Sequence, residues 1–497
     1  MTRFSLIFAA LLLSVCSCSG ENAGGRESGE GNYVTEGTSA LALPYIMGNH
    51  MVLQQNADVN IFGTANRGVK VTVEPGWSDR KFETIVPDSG HWIVKIPTPA
   101  ASFTSHDITV RDSQKGIKKI YNVLVGEVWM TAGQSNMEHP MRGFGSTATG
   151  NYQPVLDAES EIRDTDIPSF RYFKDKYQLS QVPMDNTKES AWELCKPSAS
   201  PEFEAMAFFF GKALSETLNV PVGIIGCAYG GTRIESWMPV EVLASFSASD
   251  YQDAADLGDP GHKSAPGNIY NGMVLPVMDY TIRGWLWYQG ESNRDNAHAY
   301  ARLQEEMVAC WRAAKGDKDA KLPFYFMQIA PFKSSDDISG AELRAAQMEA
   351  FHMIPNSGIS SAGDVGDYST IHYPNKKVPA SRLVLWPLYN EYGRKDINPM
   401  GPVLRSAVRS GNVIKVTLDN AEGLHIDGAS TDFAQVAGSD GKLVKAEVKL
   451  AADGTLEFSA PSVSAPVEVR YCYSTWHVSN IYNGAGLPVF PFKAKVE

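Results

Sequence analysis

Three short stretches of the chain carry residue types that could do acyl-transfer chemistry. The first is Thr131-Ala132-Gly133-Gln134-Ser135-Asn136-Met137. An apolar run from Val123 to Thr131 precedes it and predicts a strand, so Gly133 permits a tight turn and Ser135 falls where a helix begins. There the unpaired N–H groups of a first helical turn point at an incoming carbonyl, and the N–H of the serine itself can help bind a developing oxyanion. Taken alone, Gly-Gln-Ser-Asn reads first as a serine capping a helix, because Ser is a leading N-cap residue. The other two stretches change that balance. Gly230-Gly231-Thr232 follows the apolar run Val220–Ala228, and Gln289-Gly290-Glu291-Ser292-Asn293 follows Arg283–Tyr288. Backbone N–H groups unshielded at the two glycines, and the side-chain amides of Gln289 and Asn293, are donor types that suit an oxyanion hole. Lying at the ends of successive predicted strands, the three stretches converge on one rim.

A nucleophilic serine needs a base, and ten histidines compete for that role. His372 is favoured, since Asp-Val-Gly-Asp-Tyr-Ser-Thr-Ile-His follows the last strand of the alternating region and precedes a helix-like stretch, Ser381–Tyr392. His139 lies four residues beyond Ser135, a poor position for the base, and reads as a wall residue. His50, His91, His106, His425 and His477 fall among short strands and read as packing or surface groups. Neither HExxH nor a comparable ligand set occurs, so neither a metal nor another cofactor is expected.

The elements that must position these residues are of two kinds. From residue 124 to about 400, apolar runs alternate with helical stretches. Met206, Phe209, Phe210, Ala213 and Leu214 recur at helical spacing within Glu202–Leu218, and Leu303, Met307 and Trp311 share one face of Tyr300–Ala314. Strands are expected at Phe324–Ile329 and Gly358–Ala362, with a helix at Glu342–Phe351 between them. Repeated β–α alternation with glycines after the strands argues for a doubly wound, largely parallel sheet with helices on both faces, whose reactive groups gather at the strands' carboxyl ends. Residues 41–123 and 401–497 show short alternating runs instead, such as VKVTVEP, HWIVKIP and VIKVTLD, which predict flanking β-sandwich domains.

The chain has 497 residues, 43% of them hydrophobic, which is enough for several cores. A net charge of −12 offers no basic surface for phosphate backbones, so nucleic acid is not expected as a partner. Residues 1–18 read as an export signal, with an apolar run from Phe4 to Val15 too short to span a membrane. Cys18, preceded by Val15-Cys16-Ser17, suits a bacterial lipoprotein cleavage site better than Cys16 does. Residues 19–40 read as a flexible tether. The expectation is therefore a periplasmic or outer-membrane-anchored lipoprotein. Cys195, Cys227, Cys310 and Cys472 are widely spaced and read as buried thiols rather than disulfides.

With these residues assembled, the chain resembles the sialate O-acetylesterase family of SGNH-type hydrolases. Five blocks carry the resemblance in order: Gly126–Met137, Val220–Trp237, Tyr270–Pro276, Gly284–Asn293 and Val469–Phe492, the last including YNGAGLPVFPF. The resemblance implies a flavodoxin-like catalytic domain with attached β-sandwiches and an acetylesterase acting on O-acetylated sugars. It further implies Ser135 as nucleophile, His372 as base, and oxyanion donors from Ser135, Gly230, Gly231, Gln289 and Asn293. Many members read Asp-Ile-His where this chain has Thr370-Ile371-His372, so the acidic partner is missing from its usual place. Asp367 or Asp364 from nearby, or a backbone carbonyl in a Ser–His dyad, are the candidates to orient the imidazole, with Asp367 preferred. Arg233, after the Gly-Gly-Thr turn, could pair with the carboxylate of an acidic sugar. Trp237, Trp285 and Trp287 read either as sugar-stacking walls or as core. O-acetylated sialic acid is the expected substrate. An acetylated plant polysaccharide, xylan or pectin, is the alternative, and a non-catalytic carbohydrate-binding lipoprotein is the alternative outside the enzymes.

Overall fold

The computed structural model describes residues 33–145, 151–252, 259–428 and 431–496. The expected export signal, Cys16, Cys18 and most of the expected tether lie outside the described residues. The last residues of that tether are docked: Val34 bridges Val69, and the Gln114 amide donates to the carbonyl of Glu36 at 2.5 Å.

Seven strands open the fold: β1 (Val52–Gln54), β2 (Asp58–Thr64), β3 (Lys70–Pro75), β4 (Phe82–Ile85), β5 (His91–Pro97), β6 (Ser102–Asp112) and β7 (Ile117–Gly133). In β3 and β5 every second residue is buried, as expected of antiparallel sheets with one face on a core. β7 is 17 residues long and serves two sheets. Its first half pairs antiparallel with β6, and its second half, from Glu127 to Gly133, pairs parallel with β10 (Val222–Ala228). The expected domain boundary at residues 123 and 124 therefore falls inside one continuous strand.

The remaining strands of the central region are β8 (Ile167–Lys174), β9 (Trp192–Cys195), β11 (Gly284–Tyr288), β12 (Phe324–Met327) and β13 (Ser357–Ser360). They run in the order β13-β12-β11-β7-β10-β8-β9, all parallel except the edge strand β9. β10, β11 and β12 are buried along their whole length, which is why they read as continuous apolar runs in the sequence. Strand order reverses around β7, flanked by β10 and β11. At such a switch point a crevice opens beyond the carboxyl ends, and the three stretches singled out from sequence follow β7, β10 and β11.

The helices are α1 (Ser135–Glu138), α2 (Ala158–Arg163), α3 (Ala205–Leu218), α4 (Leu275–Met278), α5 (Ala297–Ala314), α6 (Ser339–Met353), α7 (Lys377–Leu383) and α8 (Leu385–Asn390). α5 packs on α6 and α3 on α7. Leu303, Met307 and Trp311 are wholly buried on α5, in line with their spacing. β8 and β9 escaped the sequence reading because Pro168 and Arg171 interrupt the apolar pattern of β8. Arg171 is nevertheless buried, donating to the carbonyls of His50, Met51 and Asn122 and so fastening the N-terminal β unit to the central sheet.

Among the described residues beyond 402, antiparallel strands form two four-stranded sheets and a two-stranded one around a separate apolar cluster that includes Ile414, Val436, Phe458 and Tyr471. Cys195, Cys227, Cys310 and Cys472 are free thiols, and all but Cys310 are fully buried.

Candidate active site

Ser135 is placed by a turn that only glycine can make. Gly133 ends β7 at φ +139°, and a Cβ there would overlap the carbonyl oxygen of Tyr288 on β11. Gln134 N–H then donates to that carbonyl at 2.9 Å, and α1 begins at Ser135 with no side-chain cap. Gly230 lies against the serine from the next strand end: a Cβ at Gly230 would sit 3.1 Å from the Ser135 Cβ. Ser135 and His372 line one cleft of about 550 Å³, together with Gln134, Glu138, Phe144, Gln153, Gly230, Gly231, Lys263, Glu291 and Ser292. Nucleophile and base candidates 237 positions apart in the chain thus meet across the crevice.

The imidazole of His372 is held from an unexpected direction. Its Nδ1 lies 2.6 Å from the side-chain oxygen of Gln153, in the loop after α1. Asp367 does not meet it: its carboxylate accepts from the N–H and the hydroxyl of Ser369 at 2.7 and 2.6 Å, a local turn that uses its acceptors. Those bonds also hold the Asp367 carboxyl below its ordinary range. Asp364 is paired with Arg382 through two bonds of 2.6 and 2.7 Å. Gln153, and neither Asp367 nor Asp364, is thus the side chain in hydrogen-bond contact with His372 Nδ1, while Thr370 accepts from the His372 N–H at 3.0 Å. Phe144 packs edge-on to the His372 ring, with centroids 5.2 Å apart, and stacks flat on His139 at 4.5 Å. Burial and then the charge of Lys376 push His372 down to about 4.

The oxyanion donors divide. The N–H of Gly230 is taken by the Glu138 carboxylate at 2.5 Å, and burial raises the Glu138 pKa. Gln289 and Asn293 are both wholly buried, with their amide N–H groups engaged inside the protein. Gln289 donates to the carbonyl of Thr232 and to Asn293 Oδ1, and accepts from Tyr300. Asn293 accepts from the N–H of Ile234 and donates to Glu235. Gly231 stays on the cleft wall. The Arg233 guanidinium is bound to Asp295 and to the carbonyl of Ser292, with only 7% of the residue exposed. Trp237, Trp285 and Trp287 belong to the core.

Residues 125–377 match the family model described as carbohydrate esterase, sialic acid-specific acetylesterase. The chain belongs to this family. It is 25% identical over 515 aligned positions to sialate O-acetylesterase of Mus musculus, covering 90% of this chain and 93% of that one. Against sialate O-acetylesterase of Homo sapiens it is 26% identical, covering 71% and 72% of the two chains. Among solved structures it resembles a carbohydrate acetylesterase from Xanthomonas citri, with 27% identity, a TM-score of 0.80, and coverage of 92% of this chain and all of that one. The protein is therefore an ester hydrolase of the carbohydrate esterases.

Several groups in the cleft of this esterase were invisible to motif reading. Gln134 Oε1 accepts from the N–H groups of Gly290 and Ser292, both at 3.3 Å, so its NH₂ is the end left over on a residue that lines the cleft. Its position directly before Ser135 was the available signal. Asn136 accepts from buried Lys376 at 2.6 Å and donates to Glu291 at 2.6 Å and to the carbonyl of Ile371 at 3.1 Å. It thus ties the serine helix to the histidine loop. Burial raises the Glu291 pKa and lowers that of Lys376, and Asn136 bridges the two. Lys263 donates to the carbonyl of Gly230 at 2.6 Å and contributes a cation to the cleft wall.

Proposed function

We propose that the esterase removes O-acetyl groups from acidic sugars, O-acetylated sialic acid above all, through an acetyl-Ser135 intermediate. The observation that carries this reading is the shared cleft: Ser135 and His372 both line it, and the contact of Nδ1 with Gln153 leaves Nε2 as the basic nitrogen. In the proposed sequence His372 takes the Ser135 proton as the oxygen attacks the acetyl carbonyl. The Ser135 N–H and the Gln134 NH₂ are the donors best suited to the tetrahedral oxyanion, since neither Gln289 nor Asn293 has capacity to spare. His372 then gives its proton to the departing sugar hydroxyl. Water, deprotonated by the same imidazole, releases acetate and restores the serine.

Support for an acidic sugar comes from the family match, from the names of the mammalian relatives and from Lys263 in the cleft. Lys263 replaces Arg233 as the proposed partner of the sugar carboxylate. The arrangement of the central sheet supports an SGNH-type, flavodoxin-like reading of this unit. Fluorophosphonate labelling tests the serine: wild type labels at Ser135, and labelling elsewhere or not at all rejects the mechanism. Acetate release across acetylated sialic acid, xylan and pectin tests the substrate, and a preference for xylan rejects the acidic-sugar assignment. We also propose that the enzyme is exported and carries a lipid on Cys18, supported by the pattern of residues 1–18. A mature N-terminus that mass spectrometry finds unmodified would reject that anchor.

A further inference from the structure

We propose that Gln153 is the positioning residue of the base, so that this esterase works with a Ser135–His372 dyad oriented by a neutral amide where an acidic side chain would serve. This inference rests on the roles proposed for Ser135 and His372. Its geometric basis is independent of them. The Gln153 side-chain oxygen lies 2.6 Å from His372 Nδ1, a short hydrogen-bond contact. An amide oxygen can only accept, so the proton resides on Nδ1 and the Nε2 lone pair is free, the tautomer a general base needs.

Gln153 is also held more firmly than an incidental contact requires. Its N–H donates to the Phe144 carbonyl at 2.9 Å and its own carbonyl accepts from the Phe144 N–H at 3.0 Å. That carbonyl accepts again from His139 Nε2 at 2.9 Å. His139 is fully buried, and burial pushes it down to about 3, so it stays a neutral donor at Nε2. Three residues on, the chain is tied to the histidine loop, where the Leu156 N–H donates to the Pro374 carbonyl at 2.9 Å. Phe144 then fills the space between His139 and His372, fixing the plane of the catalytic ring. The wall residue His139 thus acquires a purpose as the support of the group that orients His372.

The neutral partner has a chemical consequence. A carboxylate at Nδ1 would stabilise the imidazolium formed during attack and raise the basicity of Nε2, whereas an amide fixes orientation alone. The charged and titratable groups around His372 are Lys376 on its own loop, His139 at the end of α1, and Glu138, Lys263 and Glu291 elsewhere on the cleft. Burial first and then the charge of Lys376 oppose protonation, and His372 is accordingly pushed down to about 4. The base therefore remains deprotonated far into the acid range, at the cost of driving force for proton abstraction.

The test compares Gln153→Glu, which is nearly isosteric, with Gln153→Ala in the full-length protein. The histidine-labelled enzyme is titrated by NMR, and kcat and KM on an aryl acetate are followed against pH. In Gln153→Glu, the His372 titration is expected to rise by about one unit or more, as an adjacent opposite charge does, and the acid limb of kcat should rise with it. In Gln153→Ala, kcat should fall at least about tenfold with KM within about twofold. An unmoved His372 titration in a folded Gln153→Glu protein overturns the inference, as does full kcat in Gln153→Ala. Failure of the underlying mechanism looks different: Ser135→Ala would then retain activity, while the His372 titration would still respond to residue 153.

Discussion

Two polar clusters stand at the carboxyl ends of adjacent strands, built from similar residues, and they differ in what is left over. After β11, Gln289 and Asn293 hold each other, the carbonyl of Thr232, the N–H of Ile234, Tyr300 and Glu235, all out of contact with solvent. Gln347 closes the set from α6 by donating to the Gln289 carbonyl at 3.0 Å. After β7, Gln134 spends its oxygen on two N–H groups and keeps its NH₂, and His372 spends Nδ1 on Gln153 and keeps Nε2. A buried amide with every valence satisfied is scaffold; the same amide with one donor turned to a cleft can act on a substrate. The residue type suited to an oxyanion hole is thus shared by both clusters, and residual capacity separates them.

The contrast can be broken or sharpened by substitution. Ser135→Ala should lower kcat on an aryl acetate by about 10⁴-fold or more while leaving the circular dichroism spectrum intact. Retained turnover would remove the open cluster from the chemistry altogether. Gln134→Ala should cost about 100-fold in kcat with KM little changed, the scale of one lost oxyanion donor. Should Asn293→Ala produce that kinetic loss instead, the assignment of donor and scaffold would be reversed. The expected effect of Asn293→Ala lies in urea unfolding, a loss of about 3 kcal/mol as Ile234 N–H, Gln289 and Glu235 lose a partner, with kcat per folded molecule within several-fold of wild type.

Lys263→Met should raise KM for an acetylated sialic acid about five- to tenfold and leave an uncharged aryl acetate unaffected. Equal effects on both substrates would assign Lys263 to holding Gly230 rather than to charge recognition. The smallest change expected is in pH dependence. In the proposed mechanism the neutral form of His372 is the reactive one, and its lowered pKa keeps it neutral as pH falls. Between pH 7.5 and 5.5 kcat/KM should therefore vary by less than about twofold, whereas an unperturbed histidine would lose about tenfold over that range.

Much of the central sheet was readable because its strands are buried on both faces and so appear as unbroken apolar runs, as in Val222–Ala228 and Gly284–Tyr288. The helix spacing of Leu303, Met307 and Trp311 and the turn glycine at 133 were likewise local properties. Strand β8 was missed because Arg171 interrupts the pattern, and its compensation lies in carbonyls of His50 and Asn122 far away in the chain. Arg233 reads in the sequence as available for a sugar acid, whereas in the fold Asp295, 62 positions on, holds it.

The sequence by itself determined which strands lead into Ser135, Gly230 and Gln289, and that His372 follows the last strand of the alternating region, because strand periodicity and turn glycines act over a few residues. Only the tertiary structure decided which of those groups still has a donor or a lone pair to offer. That depends on partners hundreds of positions apart, such as Gln153 for His372 and Lys376 for Asn136, and on the desolvation that closes one cluster and leaves the other at the wall of a cleft.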